Sequence, residues 1–452
     1  MYKKKMITVA LMLIATYLNQ RVQAQQKLTP EKHAFSIQQC IDFAHAHNTQ
    51  VKNALIDYQL QVQTNRGVTA GALPKVTATA GLTDYIDIPT SLLPGEIFGG
   101  TPGTFIPVKF GTKYNSNVSV SLQQAIFDGQ VFVGLKARET SLKYAMKNVE
   151  VTEQAIKVNI YKIYYQLVVS KTQIDLINAN IARAERLAND TKAIHDNGFG
   201  EQIDVDKANV QLANLQTEKV KLQNNVDNGY LGLKYLLGMP IADELVLTDG
   251  ITEDEIKTGL LDDIAYQYTD RKDFQYLQLV RSLNDFNIKR YQLSALPVVS
   301  LSGVYTKTAQ RSKFDIFGKG DWFSTSYLGL NISVPLFDGF ARKSNLQSAR
   351  LQLNKTDNLI GDLKISIDNA ASQARSSFST AILTLDYQKK NMALAEHVYN
   401  QTKKKYEAGA GSTTDITNAE TDLKTAQTNY ISAMYDAIIA KIDYNNAIGK
   451  LK

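Results

Sequence analysis

The distribution of prolines is the feature that most constrains how this chain of 452 residues can fold. The nine prolines stand at positions 30, 74, 89, 94, 102, 107, 240, 297 and 335, so the spans 108–239 and 336–452 contain none. A proline inside a helix costs roughly 3 kcal/mol, because it removes a backbone donor and its ring clashes with the preceding turn. We therefore expect very long helices in the two proline-free spans.

The first 24 residues have the composition of an export signal. Lysines at positions 3–5 precede an apolar run over 6–18, and Val22-Gln23-Ala24 provides a small-residue cleavage site. The run is short for a membrane-spanning helix, and no later stretch reaches about 18 apolar residues. Residue 25 is glutamine, so we expect cleavage after position 24 without a lipid anchor on a cysteine there.

The charge balance excludes several classes of partner and site. The formal net charge is +6, but four basic residues lie in the export signal, which leaves 46 basic and 44 acidic residues. A nearly neutral chain does not predict a nucleic-acid partner.

The single cysteine, Cys40, excludes an intrachain disulfide and a cysteine-rich zinc site. His45 and His47 would not share a helix face, so we expect no metal site and no cofactor.

Three blocks of sequence recur in the same order, which predicts a tandem duplication. The last block matches without gaps and keeps three glycines at fixed spacing. The recurring pairs are Leu73-Pro74 with Leu296-Pro297, Ile126-Phe127-Asp128-Gly129 with Leu336-Phe337-Asp338-Gly339, and 195–238 with 406–449. We predict a first repeat at 25–238, an inter-repeat segment at 239–259 and a second repeat at 260–452.

Each repeat is predicted to follow one order of elements: a helix, two strands, a very long helix, a tight turn and a long return helix. The first helices are expected at about 36–72 and 260–295, and each ends at a Leu-Pro pair. The long helix of the first repeat is expected over about 135–196, roughly 90 Å at 1.5 Å per residue. Its apolar residues step by four and three, which is a heptad pattern. They are Ile156, Ile160, Ile163, Leu167, Ile174, Ile177, Ile181, Ala184 and Ala188.

The strand predictions rest on a period of two. Apolar residues over 76–82 alternate with threonine and glycine, and similar alternation returns at 117–123 and at 327–334. Each segment has the length of a membrane strand, about 9–11 residues. Four strands are too few to close a barrel, whereas three chains would supply twelve and leave no open edge.

This order of elements resembles the TolC-like outer-membrane efflux proteins. The resemblance covers about 35–450 and rests on the duplicated order, the two Phe-Asp-Gly segments and a Tyr406-x-x-Gly409 turn leading to Asp415. It implies a mainly α-helical homotrimer, with a twelve-stranded β-barrel in outer-membrane lipid continued by a periplasmic α-helical barrel. It also implies two partners, a periplasmic adaptor (membrane fusion) protein and an inner-membrane pump.

The resemblance places a pore constriction at the turns between the long helices. It implies closing roles for Tyr406 and Asp415, whereas Asn418 stands where the family carries a second aspartate. The first-repeat equivalents are His195 and Asp204. A ring of three Asp415 carboxylates would attract cations. The glycines expected at the periplasmic tip, where the adaptor would make contact, are Gly198, Gly200, Gly409 and Gly411.

Structural roles account for the same residues. The four glycines are typical of turns with positive φ, and Asp204 and Asp415 stand where a carboxylate caps a helix. In the strand-to-helix turns we expect the phenylalanine to anchor the strand end, the aspartate to cap and the glycine to permit the sharp entry. These turns are Phe127-Asp128-Gly129 and Phe337-Asp338-Gly339.

The favoured function is a passive trimeric exit duct for small toxic molecules, driven by the inner-membrane pump. A duct for protein or peptide secretion has the same plan. A periplasmic coiled-coil scaffold without a pore would not need the four alternating strands. An enzyme is least favoured, since the sequence shows no nucleophile motif, phosphate loop or paired carboxylates.

Overall fold

The computed structural model describes residues 30–250, 252–257, 266–315, 318 and 320–451. The predicted export signal lies outside the described residues, as does the start of the helix expected at 260–295.

The described chain is mainly helical, as the sequence predicts. Two helices of 68 and 67 residues occupy the proline-free spans, and each is about 100 Å long at 1.5 Å per residue. The described helices are α1 (Ile37–His47), α2 (Thr49–Ala70), α3 (Gly129–Asp196), α4 (Gln202–Leu237), α5 (Glu253–Lys257), α6 (Lys272–Leu293), α7 (Ala341–Glu407) and α8 (Thr413–Ala447).

Eight strands form three sheets in the described chain. They are β1 (Lys32–Phe35), β2 (Lys75–Asp84), β3 (Thr90–Pro94), β4 (Phe105–Lys109), β5 (Tyr114–Phe127), β6 (Glu244–Leu247), β7 (Val298–Arg311) and β8 (Phe323–Ser333). The four predicted strands make one antiparallel sheet in the order β2-β5-β7-β8, open at β2 and β8. The parallel pair β1–β6 and the hairpin β3–β4 were not expected from the sequence.

The single helix predicted at 36–72 is wrong, because the chain breaks at Asn48. The backbone of Asn48 is extended (φ −61°, ψ 130°), and α1 ends there after starting at a Ser36–Gln39 capping box. The Asn48 side chain accepts hydrogen bonds from the amides of Gln50 (2.8 Å) and Val51 (3.2 Å), so it caps α2. Its own amide donates to the Leu236 carbonyl at 2.7 Å, which compensates its burial.

Two further boundaries differ from expectation. Among the described residues, the helix predicted over 260–295 begins at Lys272, after a turn of 3-10 helix at Tyr268–Asp270. The last strand ends at Ser333, so Phe337 follows it at a distance instead of ending it. Only β5 runs to the phenylalanine of its Phe-Asp-Gly segment.

The described chain divides into two compact units. The first contains Thr152–Tyr268, Ile367–Lys452 and the residues up to Asn53, and the second contains Ala54–Val151 and Thr269–Ser366. The first unit holds the helical core. One hydrophobic cluster of this unit includes Phe378, Leu385, Ala437 and Ile438, where α7 packs on α8.

The predicted heptad seam of α3 is mostly buried in the first unit. Ile177 and Ala184 pack with Leu215 of α4, as expected for a long helix and its return helix. The pattern of burial differs from the prediction at one seam position: Ile163 is only half-buried, and its neighbour Tyr164 is fully buried. The Tyr164 hydroxyl explains the shift, because it donates to the Phe35 carbonyl and accepts from the Asp249 amide.

Candidate functional site

The two tip turns of the first unit share one backbone geometry. Gly198 has φ 82° and Gly409 has φ 73°, as their predicted role in a turn requires. The Gly198 amide donates to the His195 carbonyl at 2.8 Å, and the Gly409 amide donates to the Tyr406 carbonyl at 2.9 Å. Each turn thus satisfies carbonyls at the end of its long helix and directs the chain into the return helix.

Gly200 and Gly411 serve the turns in another way, and the expectation of positive φ is wrong for them. A Cβ at Gly200 would lie 3.0 Å from Ile194 Cγ2, and one at Gly411 would lie 3.0 Å from the Tyr406 nitrogen. Glycine suits these positions, because the chain returns closely against the end of the preceding helix and a Cβ would force small shifts.

Asp415 caps its own helix. Its amide donates to the Ser412 hydroxyl oxygen at 3.1 Å, and the Ser412 amide donates to the Asp415 carboxylate at 3.2 Å. The hydrogen bond from the Ser412 hydroxyl, above all, holds the pKa of the Asp415 carboxyl below its usual value. Asp204 has no such box, because Glu201 precedes α4 without a capping side chain. Asp204 instead forms an ion pair with Lys207 at 3.7 Å.

The other residues predicted at the constriction each have their own surroundings. Tyr406 packs against a cluster that includes Leu187, Tyr399 and Ile416, and its buried hydroxyl has no hydrogen-bond partner among the described residues. It therefore does not bond Asp415 within the chain. His195 Nδ1 lies 3.5 Å from Asp196 Oδ1, and the exposed Asn418 faces a groove.

That groove, formed by α3, α4 and α8, contains a buried acid that sequence reasoning missed. The groove has a volume of about 660 Å³, and Glu420, at its edge, is only 8% exposed. Burial raises the pKa of the Glu420 carboxyl, and the positive charges of Arg183 and Lys403 oppose the rise. The sequence did contain a sign of this burial. Glu420 has the helical spacing of the apolar stripe of α8 and lies between Ile416 and Leu423.

The aspartates of the strand-to-helix turns both bond to helix amides. Asp128 accepts from the Gln130 amide at 2.8 Å, and Asp338 accepts from the Arg342 amide at 2.9 Å. Gly129 is required by close approach, because an added Cβ would lie 2.8 Å from the Leu293 carbonyl oxygen.

The second turn departs from the expected roles. Gly339 and Phe340 both have positive φ, 63° and 66°. Phe337 is 77% exposed and stacks edge-on with Phe340. It therefore does not anchor the strand end, whereas Phe127 is the last residue of β5 and contacts Phe132.

The four-stranded sheet of the second unit has its apolar side outward. On the two central strands Val118 (47%), Val120 (43%) and Tyr305 (48%) are exposed, whereas Ser119 and Thr306 of the opposite face are half-buried. This is the reverse of a soluble sheet, which packs its apolar face on a core. An apolar face of this extent needs lipid or another chain to cover it.

The described residues contain neither a metal-ligand cluster nor a helix suited to crossing a membrane. No three His, Cys, Asp or Glu side chains in this part of the chain come close enough to hold a metal ion. None of the helices described has an apolar stretch long enough to cross a bilayer.

Comparisons with known proteins agree with this architecture. The family model described as outer membrane efflux protein matches residues 41–239 and 271–450. Outer membrane protein TolC of Vibrio cholerae is 19% identical over 340 residues, covering 74% of this chain and 77% of that protein. Alkaline protease secretion protein AprF of Pseudomonas aeruginosa is 21% identical over 336 residues, covering 72% and 68%.

A solved structure shows the same fold. The open state of the Neisseria gonorrhoeae MtrE outer membrane channel matches with a TM-score of 0.73 and 16% identity, covering 92% of this chain and 89% of that one. The matching family model is that of an outer membrane efflux protein, and the solved structures of similar fold include outer membrane channels. The chain therefore belongs to the outer membrane efflux protein family, and its location is the outer membrane with an extension into the periplasm.

Proposed function

We propose that this protein is the outer-membrane channel of a tripartite efflux system, a passive exit duct for small toxic molecules. The observation that carries the proposal is the reversed sheet, with its apolar face exposed and hydroxyl side chains on the other face. Such a sheet suits a wall between lipid and water. The helices of about 100 Å have the length to continue a duct away from the membrane.

The active form is a homotrimer. β2 and β8 each have one hydrogen-bonded neighbour in the described sheet, so each presents a free edge. An open edge in lipid leaves backbone groups without partners, at a cost of several kcal/mol for each group. Pairing β8 of one chain with β2 of the next satisfies both edges, and three copies close a barrel of twelve strands.

The repeated order of elements supports a duplicated chain, with repeats at 25–238 and 260–452 joined by 239–259. Each repeat contributes two strands to the barrel wall and one helical hairpin to the helical barrel. The two tip turns, with matching hydrogen bonds at Gly198 and Gly409, then stand at equivalent positions in the trimer. This equivalence suits repeated contacts with one adaptor protein through Gly198, Gly200, Gly409 and Gly411.

The pore constriction lies at these tips in the proposal. Asp415 is exposed, and its lowered pKa keeps its carboxylate charged at neutral pH, so three copies give a ring that attracts cations. Tyr406, Asn418, His195 and Asp204 belong to the same end of the helical hairpins. The buried Tyr406 hydroxyl, which has no partner among the described residues, remains available to a group from a neighbouring copy.

Secretion of a protein or peptide is the second candidate. The similarity to AprF, a protein named for protease secretion, favours it specifically. Both functions use the same duct, an adaptor and an inner-membrane pump, and they differ in the cargo that the pump selects.

Recording from a planar lipid bilayer tests the proposal with the purified full-length chain. The expected result is a trimer by native mass measurement that conducts ions in discrete steps. A monodisperse monomer without conductance would overturn the proposal in favour of a scaffold. Deletion of the gene then separates the candidates: sensitivity to dyes and drugs supports efflux, and loss of one protein from the medium supports secretion.

A further inference from the structure

The sheet register shows which side chains share the polar face. Residues directly opposite each other in an antiparallel pair lie on the same face. One cross-strand row joins Thr79, Ser119, Thr306 and Thr325 through the pairs of β2 with β5, β5 with β7 and β7 with β8. Because side chains alternate between the two faces of a sheet, the neighbouring rows of the same face lie two residues away along each strand.

These rows carry almost no charge. Within the four described strands, the paired positions of this face are threonine, serine, asparagine, glutamine, glycine, alanine, valine and two aromatic residues, with one exception. The exception is Lys75, the first residue of β2, in the row with Gln123 and Ser302. The rows are Ala125, Ser300 and Asn331; Lys75, Gln123, Ser302 and Gly329; Thr77, Ser121, Val304 and Tyr327; Thr79, Ser119, Thr306 and Thr325; Gly81, Asn117, Thr308 and Phe323; and Thr83, Asn115 and Gln310.

Hydroxyl groups of this face form hydrogen bonds across strands. Thr306 Oγ1 donates to Ser119 Oγ at 2.9 Å, and Asn331 Nδ2 donates to Ser302 Oγ at 2.9 Å. Ser121 Oγ donates to the Thr77 carbonyl at 3.3 Å. A hydroxyl both donates and accepts, so it can solvate a cation, an anion or a neutral polar group.

The charged residues of the same strands lie on the opposite face. Lys307 pairs with Val118 and Ser324, in register with the apolar positions. Asp84, Tyr114 and Arg311 form the last row of that face, at the end of the sheet away from the long helices. Charges at this level of an apolar face suit the headgroup region of a membrane.

We propose that the strand-lined segment of the duct is an electrically neutral, hydroxyl-lined passage whose fixed charge is confined to Lys75 at its helix-side rim. This inference rests on the proposed function, because it takes the polar face as the lumen. The passage therefore admits neutral polar molecules, cations and anions alike, and selects by size. Charge selection belongs to other parts of the duct, since fixed charges lining a pore set its ion preference.

Thiol modification in the full-length protein tests this directly. Ser119→Cys places a thiol on the polar face, and the fully buried Cys40, whose pKa burial raises to about 12, stays unreactive. The modified thiol receives either a sulfonate or a quaternary ammonium group from a methanethiosulfonate reagent. The measurement is the reversal potential of single channels under a potassium chloride gradient.

The expected result is a pair of shifts of similar size and opposite sign around the value of the unmodified variant. Ser326→Cys is the matched control, because it pairs with Tyr305 on the apolar face and its modification should leave the reversal potential unchanged. A second pair of variants tests the lysine at the rim. Lys75→Gln should shift the ion preference of the channel toward cations, whereas Lys307→Gln on the opposite face should leave it unchanged.

Other results would contradict either the neutral lining or the channel function, and the two cases can be told apart. Channels that conduct normally but show no shift at position 119, or equal shifts at position 326, contradict the neutral lining and leave the channel function standing. A shift with only one of the two reagents indicates a strong fixed charge in the passage and also contradicts it. A protein that forms no channels at all contradicts the proposed function, and the inference with it.

Discussion

Ser412 and Asp415 cap the start of α8 from both sides, with the Ser412 hydroxyl donating to the Asp415 carboxylate at 2.8 Å. The same hydroxyl oxygen accepts from the Asp415 amide at 3.1 Å, and the Ser412 amide donates to the Asp415 carboxylate at 3.2 Å, which completes a capping box. The aspartate that the proposed constriction requires is thus held by its own helix. Its position can therefore be fixed without any contact to Tyr406.

Replacing each member of the box separates capping from gating. Asp415→Ala removes the cap and the charge, and we expect larger conductance and weaker block by multivalent cations in planar bilayers. Ser412→Ala removes the cap and keeps the charge, so it should lower stability by about 1 kcal/mol and leave the block by cations in place. If both variants lose the block equally, Asp415 acts as a helix cap alone.

The capping carboxylate also predicts a dependence on pH. The pKa of Asp415 is lowered from 3.8 in the folded chain, so its stabilising effect is present above that value. The effect is lost as the pH falls through the lower folded pKa. Thermal unfolding of the wild type and Asp415→Asn should therefore differ most at neutral pH and converge in acid. A difference that grows on acidification would contradict this assignment.

Glu420 is expected to destabilise the chain at neutral pH. Its carboxyl is buried and its pKa is raised, so stability should fall as the pH rises from the unfolded toward the folded pKa. Glu420→Leu removes the buried charge from an apolar stripe and should stabilise the protein by about 1 kcal/mol or more. The measurement is denaturant unfolding at neutral pH, with Glu420→Gln as the variant that keeps the shape.

We expect the positive charge of Arg183 to stabilise the buried carboxylate of Glu420, and a double-variant experiment can measure this. The charge of Arg183 opposes the rise of the Glu420 pKa more than that of Lys403 does, so Arg183→Leu should leave the buried carboxylate with less compensation and destabilise the chain. In the double variant with Glu420→Leu, most of that loss should disappear, and the coupling should be about 1 kcal/mol. Additive effects of the two substitutions would show that the residues do not interact.

Asn48 holds the break between α1 and α2 by two kinds of hydrogen bond. Asn48→Ala loses the cap of α2 and leaves the Leu236 carbonyl without its donor, so we expect a loss of about 2 kcal/mol. Asn48→Ser keeps a capping oxygen and should recover part of this stability in thermal unfolding. Wild-type stability of the alanine variant would show that the chain breaks here for another reason.

The sequence predicted those features that depend on neighbouring residues. Long helices in the proline-free spans follow from backbone sterics, and the alternation of 76–82 defines a strand because side chains in a strand alternate between faces. The family resemblance followed from the order of these elements. The break at Asn48 was missed because an asparagine can cap or continue a helix, and its partner Leu236 lies 188 residues away.

By itself, then, the sequence determined the length and type of the main elements, and the glycine turns that end the long helices. Only the tertiary structure decided that β5 pairs with β7, that Glu420 is buried near Arg183, and that the polar rows of the sheet join residues from both halves of the chain. The physical reason is that periodicity reports on local geometry. Register, desolvation and the neighbours of a charge depend on segments that meet only when the chain folds.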